Sequence, residues 1–306
     1  MALLTRKSVL AAKIETTSGT YESMTNSECV ITATNASMSP NFEILERPQQ
    51  GSFQRNAAAI GLRGATCTFR TDWYGDGADT APAWAEQLLP ACALTQTAEA
   101  FAVATEAPGT NVKTLSLAHY LDGKVYKMSG AVGTFQVNFE TGKPVTIDWT
   151  FTGKWEGEAD DTLLTPTPQT RQPMRFANAT FGLSAWAPCL QSLTLNIGNV
   201  VQMRECQNGS ETGYLAGIIT DRVSQISFNP ESDLVATHDL YTEFLNSDES
   251  KAFSIMLTDG SDSHSISSAG WQVTAATMSD RGGIATDDVT MVNNSDAISI
   301  NFAEGA

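Results

Sequence analysis

Paired carboxylates are the residues of this chain whose type and spacing come closest to catalytic chemistry. Glu140 and Asp148 flank a Thr-Gly-Lys-Pro turn in the stretch QVNFETGKPVTIDWTFTGKW. Two such carboxylates are what a glycosidase uses as its general acid and its base or nucleophile. The opposite face of this stretch is apolar, however, and no cluster of aromatic residues that could bind a sugar lies nearby. We therefore interpret both residues as solvated acids on strands.

Two acidic loops offer oxygen ligands for a cation. They read DWYGDGAD at Asp72–Asp79 and DGSD at Asp259–Asp262. Neither follows the ligand spacing of an EF-hand loop, and turns rich in Asp and Gly are common without a metal. We expect no metal and no cofactor.

The other common catalytic patterns are missing from the sequence. It contains no phosphate-binding loop, no G-x-S-x-G elbow and no H-E-x-x-H motif, and its three histidines are far apart. Its five cysteines are odd in number and form no C-x-x-C pair, which favours free thiols in a reducing compartment. We expect that the protein is not an enzyme.

Composition and charge narrow the function further. The chain has 306 residues, of which 42% are hydrophobic and 17% charged, which is typical of a globular protein. A net charge of −16 argues against binding to nucleic acid or to anionic lipid. The N-terminus has no signal-peptide pattern, and no apolar run is long enough to span a membrane.

The elements that must position these residues are mostly strands. Phe135, Val137 and Phe139 alternate with polar residues before the Thr-Gly-Lys-Pro turn, and the alternation resumes after it, which predicts a long β-hairpin with one polar face. Helices are predicted at Ala81–Cys92 and at Pro230–Asn246, the second capped by Asp233. Further strands are predicted by short Thr-rich, β-branched and aromatic runs: Val30–Ala33, Ala65–Trp73, Leu115–Leu121, Leu190–Ile197, Val223–Phe228, Phe253–Leu257 and Ile298–Phe302.

The two halves of the chain repeat the same order of features. FQV at Phe135–Val137 matches WQV at Trp271–Val273, and each leads into a Gly-bearing turn and an alternating strand. Upstream, each half has a polar, Gly-rich segment with arginines, Glu43–Gly64 and Val201–Asp221. We predict a first domain at residues 1–157, an acidic, Pro-rich linker at 158–173 and a second domain at 174–306.

An ordered set of segments across almost the whole chain resembles the major tail tube protein of long, non-contractile-tailed (siphovirus-like) bacteriophages. No single motif is diagnostic, but the order is fairly specific. The segments in the two halves are Ala11–Ser23, Leu45–Pro48, Thr80–Leu94, Tyr120–Trp155, Phe176–Asn199, Met203–Arg222 and Asn229–Ser247.

The resemblance implies a mainly β fold with two tandem β-sandwich or barrel tube domains, each flanked by one α-helix. Similar proteins form rings of six tube domains, whose sheets join into a barrel and which stack through a long loop into a conduit for the genome. Two domains per chain would make the ring a homotrimer with pseudo-six-fold symmetry. The implied location is the virion tail after synthesis in the host cytoplasm. The implied partners are further copies of the chain, the tape-measure protein, the tail tip and terminator proteins, and genomic DNA in transit without specific binding.

The expected functional residues therefore lie at interfaces and on a lumen. Ring-stacking candidates are Arg47, Arg55, Arg63, Arg204 and Arg222. Lumen-facing candidates are Gln136, Asn138, Glu140, Thr146, Asp148, Thr150, Gln272, Thr274 and Asp288. For the arginines the alternative is an ordinary mobile loop, and for the polar face it is the exterior of the protein. Two other functions remain open: another tube or tail-completion protein of the same fold, and a β-sandwich that binds a ligand.

Overall fold

Strands account for most of the fold. The computed structural model describes residues 3–77, 80–104, 112–208, 210–246, 250–260 and 262–304. The first half contains β1 (Ser8–Ile14), β2 (Thr34–Pro48), β3 (Arg55–Asp72), α1 (Ala83–Leu88), β4 (Leu94–Thr97), β5 (Ala100–Val103), β6 (Leu115–Leu121), β7 (Lys124–Glu140) and β8 (Thr146–Asp160). The second half contains β9 (Thr180–Leu183), β10 (Leu190–Asn196), β11 (Asn199–Glu205), β12 (Tyr214–Arg222), β13 (Gln225–Pro230), α2 (Leu240–Leu245), β14 (Lys251–Thr258), β15 (Asp262–Arg281), β16 (Ile284–Asn293) and β17 (Ile298–Glu304).

One antiparallel sheet runs through both halves. Its strand order is β2-β3-β8-β7-β10-β13-β16-β15-β17-β5-β4, so β7 of the first half pairs directly with β10 of the second. Within this path the order β2-β3-β8-β7 is followed by β10-β13-β16-β15. In the first set, β2 pairs with β3, the two being joined by an extended hairpin, and β3 then pairs with the closing hairpin of β7 and β8. In the second set, β10 pairs with β13, which follows the inserted hairpin β11–β12, and β13 then pairs with the closing hairpin of β15 and β16. The mainly β fold is confirmed, and the pairing order occurs twice.

The halves also share a core. Trp73 and Trp84 pack against Phe302 of β17, with ring centroids 5.8 and 5.6 Å apart, and the Trp73 indole N–H donates to Nδ1 of His264 at 2.8 Å. Strand β17 pairs with β5 across the same junction. The two halves therefore fold against one another along a joint sheet and a joint set of aromatic side chains.

The helices are shorter than the sequence predicts. Residues Ala83–Leu88 are α-helical and Leu89–Cys92 continue as a 3-10 turn, so the first predicted helix is correct in place. The second begins only at Leu240, where the Asp239 carboxylate accepts from the backbone N–H of Thr242 at 3.0 Å. The predicted start at Pro230 and the Asp233 cap are wrong, because Pro230 ends β13 and Asp233 instead accepts from the Trp186 indole.

Three other local predictions differ from the structure. Residues Val30–Ala33 form a turn rather than a strand, with the Ala33 N–H donating to the carbonyl of Val30. The predicted linker at 158–173 starts inside β8, which extends to Asp160 because Lys124–Lys127 pair with it. The segments Glu43–Gly64 and Val201–Asp221, expected as loops, are largely the hairpins β2–β3 and β11–β12.

Candidate assembly surfaces

A polar face extends over seven consecutive strands, from β3 to β15. Its apolar reverse side buries residues such as Phe69, Trp149, Val137 and Leu195, because alternate side chains of a strand point to opposite faces. One row of paired residues crosses all seven strands: Arg70, Asp148, Gln136, Asn196, Gln225, Val292 and Gln272. The next row is Asp72, Thr146, Asn138, Thr194, Ser227, Thr290 and Ala275.

The structure brings the predicted lumen residues of both halves onto this one face. Gln136, Asn138, Glu140, Thr146, Asp148 and Thr150 lie on β7 and β8, and their side chains are exposed or half-buried. Gln272 lies in the first row, and Asp288 pairs with Thr277 on the same side. Thr274 is exposed at a bulge beside them, its hydroxyl donating to the Thr290 carbonyl at 3.2 Å.

Sequence reasoning missed the middle of this face. Ser192, Thr194 and Asn196 on β10 and Gln225 and Ser227 on β13 join the polar residues of the two closing hairpins. The alternation in SLTLN and QISF was a usable signal for their orientation. Nothing in that alternation indicates which strands are neighbours, so the continuity of the face was not predictable.

One ion pair offsets part of the charge on the polar face. The Arg70 guanidinium donates to both carboxylate oxygens of Asp148, at 2.6 and 2.8 Å, and the Asn138 amide donates to the same carboxylate at 2.8 Å. The hydrogen bond from Arg70 lowers the pKa of Asp148 below its usual range, while burial raises that of Asp72. Within the two rows of paired residues Arg70 is the only basic side chain, so these positions offer duplex DNA few cationic contacts.

The hairpin β2–β3 projects from the sheet as an exposed arm. Every residue from 41 to 60 is exposed, including the large apolar side chains Ile44, Leu45 and Phe53. Arg47 and Arg55 lie near its tip, and Arg55 forms an exposed ion pair with Glu46 at 2.8 Å. Contiguous exposed apolar side chains of this kind mark an interaction site.

The hairpin β11–β12 packs back onto the first half. At Gly217 a Cβ atom would lie 2.7 Å from Cγ2 of Val132, so the backbones approach closely only because the residue is glycine. The Asn199 amide donates to the carbonyls of Cys92 and Gly133, both at 2.9 Å. Arg204 and Arg222, the predicted stacking arginines of the second half, thus lie on a packed hairpin, whereas Arg47 and Arg55 lie on the exposed arm.

Three of the five predicted arginines are placed away from the arm tip. Arg222 is 7% exposed, donates to Asn199 at 2.7 Å and pairs with Asp296 at 3.1 Å. Arg204 is exposed on β11 and lines a small cavity with Glu15 and Lys113. Arg63 is half-buried at the base of the arm, where its N–H donates to the Thr212 carbonyl at 3.0 Å.

A family model described as phage tail tube protein matches residues 5–303, nearly the whole chain. The chain belongs to the phage tail tube protein family. It is a structural tail tube protein and a component of the virion tail. A comparison with curated proteins finds no match. The surfaces above are therefore those of a self-assembling tube protein.

The two acidic loops meet at the junction of the halves. The Gly77 N–H donates to Asp262 at 3.1 Å, and Arg171 pairs with the same carboxylate at 3.0 Å. Burial raises the pKa of Asp262. Residues 78–79 and 261 of these loops lie outside the described residues. Among the residues that are described, no group of His, Cys, Asp or Glu side chains has the arrangement of a metal site, and no helix is long and apolar enough to cross a membrane.

A cavity of about 540 Å³ lies beside α2. The Trp186 indole and the His238 imidazole stack there, with centroids 3.8 Å apart. Glu243 pairs with Lys251 at 2.7 Å and lies 3.4 Å from Nε2 of His238. His238 lies before α2, and its side chain is mostly buried.

Proposed function

We propose that three copies of this chain form a ring, and that rings stack into the tail tube through which the genome is delivered. The observation that carries the proposal is the continuous polar face, on which the order β2-β3-β8-β7 is repeated as β10-β13-β16-β15. The repeated order supports two tandem tube domains, at residues 1–157 and 174–306, joined by the acidic, Pro-rich segment. This role is structural rather than catalytic.

The free edges of the polar face suggest how a ring closes. Over the described residues, β2 pairs only with β3, and the Gln272–Arg281 part of β15 pairs only with β16. Unpaired edges of this kind are templates for pairing with another chain. The pairing of β7 with β10 is an example, within one chain, of the contact proposed between chains, because it joins the last strand of one set to the first strand of the next.

We therefore propose that β15 of one copy pairs with the start of β2 in the next. This partner would extend β2 backwards into residues 30–34, which have strand-like sequence but form a turn in the single chain. Amide hydrogen exchange tests the contact. Residues 30–34 and 272–281 should become protected in tubes relative to monomer, and unchanged exchange in both segments would contradict it.

The number of strands fits a conduit. Each chain contributes eight strands to the repeated order, so three chains would supply about 24 strands. Barrels of about 16–18 strands already enclose an aqueous channel. Uncharged Thr, Ser, Asn and Gln with a small excess of carboxylates would let a polyanion pass without binding, in company with a tape-measure protein before ejection.

The exposed arm is suited to joining successive rings, with Arg47 and Arg55 near acids of the neighbouring ring. Charge reversal by Arg55→Glu should strongly reduce tube formation while leaving the monomer folded, because the Arg55–Glu46 pair is exposed and contributes little to stability. Normal tube lengths would contradict this role.

Electron microscopy of purified protein at high concentration tests the function as a whole. Hollow tubes with three chains per ring and pseudo-six-fold symmetry are expected, and six chains per ring would contradict the trimer. Phage carrying Asp148→Lys should eject DNA more slowly if the polar face lines the lumen. Unchanged ejection would place that face elsewhere. The terminator and tip proteins would cap the ends of the tube.

A further inference from the structure

The cavity beside α2 lies at the end of the sheet opposite the arm. Strand β3 runs from Arg55 at the arm to Asp72, and Asp72 is level with Thr146 near the turn that follows Glu140. Ser192, near the start of β10, pairs with Glu140. The cavity is lined by Ala187–Cys189, immediately before β10, and by Glu231, immediately after β13. Arm and cavity are thus at opposite ends of one chain, as a head-to-tail contact requires.

The cavity combines an aromatic wall with acidic side chains. Trp186 and Pro188 contribute apolar surface. Three acids, Glu231, Asp233 and Glu243, lie beside Lys251, and Glu231 is also paired with Arg281 at 2.5 Å, so the acids exceed the bases by one. Oε2 of Glu243 and Nε2 of His238 are buried and face each other at 3.4 Å, and neither makes a well-aligned hydrogen bond among the described residues. Buried polar atoms without partners cost free energy, so a ligand that reaches them with a hydrogen-bonding group would be stabilised.

The tip of the arm has complementary properties. Residues 46–55 read ERPQQGSFQR, with two arginines and one acid, so this segment is cationic in a chain of net charge −16. Phe53 is fully exposed at the turn. An exposed aromatic side chain beside arginine is the composition typical of an interface anchor.

The other hairpin does not fit the cavity. Its connecting segment, residues 206–213, carries Glu211 and no basic residue, and like charges across an interface are unfavourable. The hairpin is also held against the first half by Asn199 and by the close approach at Gly217. Charge therefore selects the arm of β2 and β3.

We infer that the cavity lined by Trp186, Cys189 and Glu243 receives the arm tip of a second copy of this chain, with Phe53 against Trp186 and Arg47 or Arg55 facing the acids. This inference rests on the proposed function and names the acceptor of its stacking contact. It makes the contact heterologous, so each chain offers one arm and one acceptor and the assembly grows along an axis.

The exposed thiol of Cys189 provides the test, since it lines the cavity. Gln54→Cys places a second thiol next to Phe53 without removing the aromatic side chain. Mild oxidation of assembled tubes should then give a ladder of covalent multimers on a non-reducing gel. Because a disulfide demands Cα atoms about 4.4–6.8 Å apart, a short bis-maleimide is used in parallel. Ser52→Cys is the second variant, on the other side of Phe53.

Matched controls separate this inference from the proposed function. Adding Cys189→Ser should abolish the ladder, whereas adding Cys206→Ser should leave it unchanged. Glu211→Cys, on the acidic hairpin, should give no ladder through Cys189. Tubes that give no ladder with either arm variant, or a ladder that survives Cys189→Ser, would overturn the acceptor site alone. Failure of the unsubstituted protein to form tubes would overturn the proposed function, and the acceptor with it.

Discussion

The hairpins β2–β3 and β11–β12 occupy corresponding places in the two strand sets, but one is exposed and the other packs against the rest of the chain. The arm of β2 and β3 is exposed throughout residues 41–60, whereas β11–β12 lies against β7 and β8. The arm strands are 15 and 18 residues long, against 7 and 9 in the other hairpin. At corresponding places in the two strand sets, one hairpin is therefore left exposed and the other is packed into the fold.

Local chemistry explains the difference. Gly217 and Gly130 let β12 approach β7 at backbone distance, since Cβ atoms there would meet Val132 and Ala216. On the arm, Ile44 pairs with Ile60, and both side chains are about half-exposed or more. Without an element that covers them, these side chains gain burial only by association.

Removal of the arm tip is expected to have the largest effect on assembly of all the changes that distinguish the two hairpins. Replacing residues 49–54 by a two-residue Asn-Gly turn should abolish tube formation, because the proposed contact with the next ring is lost, while the monomer keeps its unfolding midpoint. Negative-stain microscopy and urea unfolding measure the two effects. Shortening the β11–β12 turn at 206–212 is the matched control and should leave polymerisation intact. Tubes from the shortened arm would contradict the assignment.

Overpacking beneath the second hairpin should act on folding instead. Gly217→Val places methyl groups against Val132 and is expected to lower the free energy of unfolding by as much as about 3 kcal/mol. Ala59→Val, on the exposed arm, should change it by less than about 0.5 kcal/mol. Urea denaturation compares the two. Equal effects would mean that the hairpins are equally exposed in solution.

Asn199 is a second, smaller anchor of the same hairpin. Asn199→Ala leaves the carbonyls of Cys92 and Gly133 without their side-chain donor and removes an acceptor from Arg222, so a loss of about 1–2 kcal/mol is expected. Asn41→Ala on the arm is the control and should be close to neutral. A neutral Asn199 variant would show that water replaces these hydrogen bonds.

The smallest effect is expected on the polar face, outside both hairpins. Asp148→Asn should change the unfolding free energy at neutral pH by less than about 1 kcal/mol, since the pair with Arg70 is partly exposed. Arg70 lowers the pKa of Asp148, so its contribution is present above the ordinary carboxylate pKa and is lost as the pH falls below about 4. Stability curves of the two proteins should therefore converge in acid, and a constant gap would contradict the pairing.

The strands were largely predictable because burial imposes their period of two. Leu115–Leu121 matches β6, and Leu190–Ile197 matches β10 within one residue. The helix at Pro230 was overpredicted because Leu234 has helical spacing but is 78% exposed, so no core holds that segment in a helix. Val30–Ala33 has strand-like residues yet forms no strand ladder with the part of the chain that the structure describes, apart from one hydrogen bond from the Val30 N–H to the Leu10 carbonyl.

The sequence was enough to predict which side chains share a face of each hairpin, but not which strands lie next to one another in the sheet. Alternation identified the polar sides of both closing hairpins, including Gln136 and Gln272. Their union depends on β10, whose pairing with β7 joins residues 52 or more positions apart, and no local pattern encodes that pairing. Likewise, the arginines of the two hairpins were indistinguishable in sequence, although Arg55 is exposed and Arg222 is fixed by Asn199 and Asp296.

The pairing of β7 with β10 has a consequence for the protein concentration at which the proposed ring would form. Two units on separate chains meet only by diffusion, whereas two units on one chain meet at an effective concentration set by their linker, in the millimolar range for short flexible connections. Three of the six lateral contacts of a ring would then be present before any encounter. At equilibrium, the concentration of rings would depend on the third power of the protein concentration rather than the sixth, so rings could form at lower protein concentrations in an infected cell.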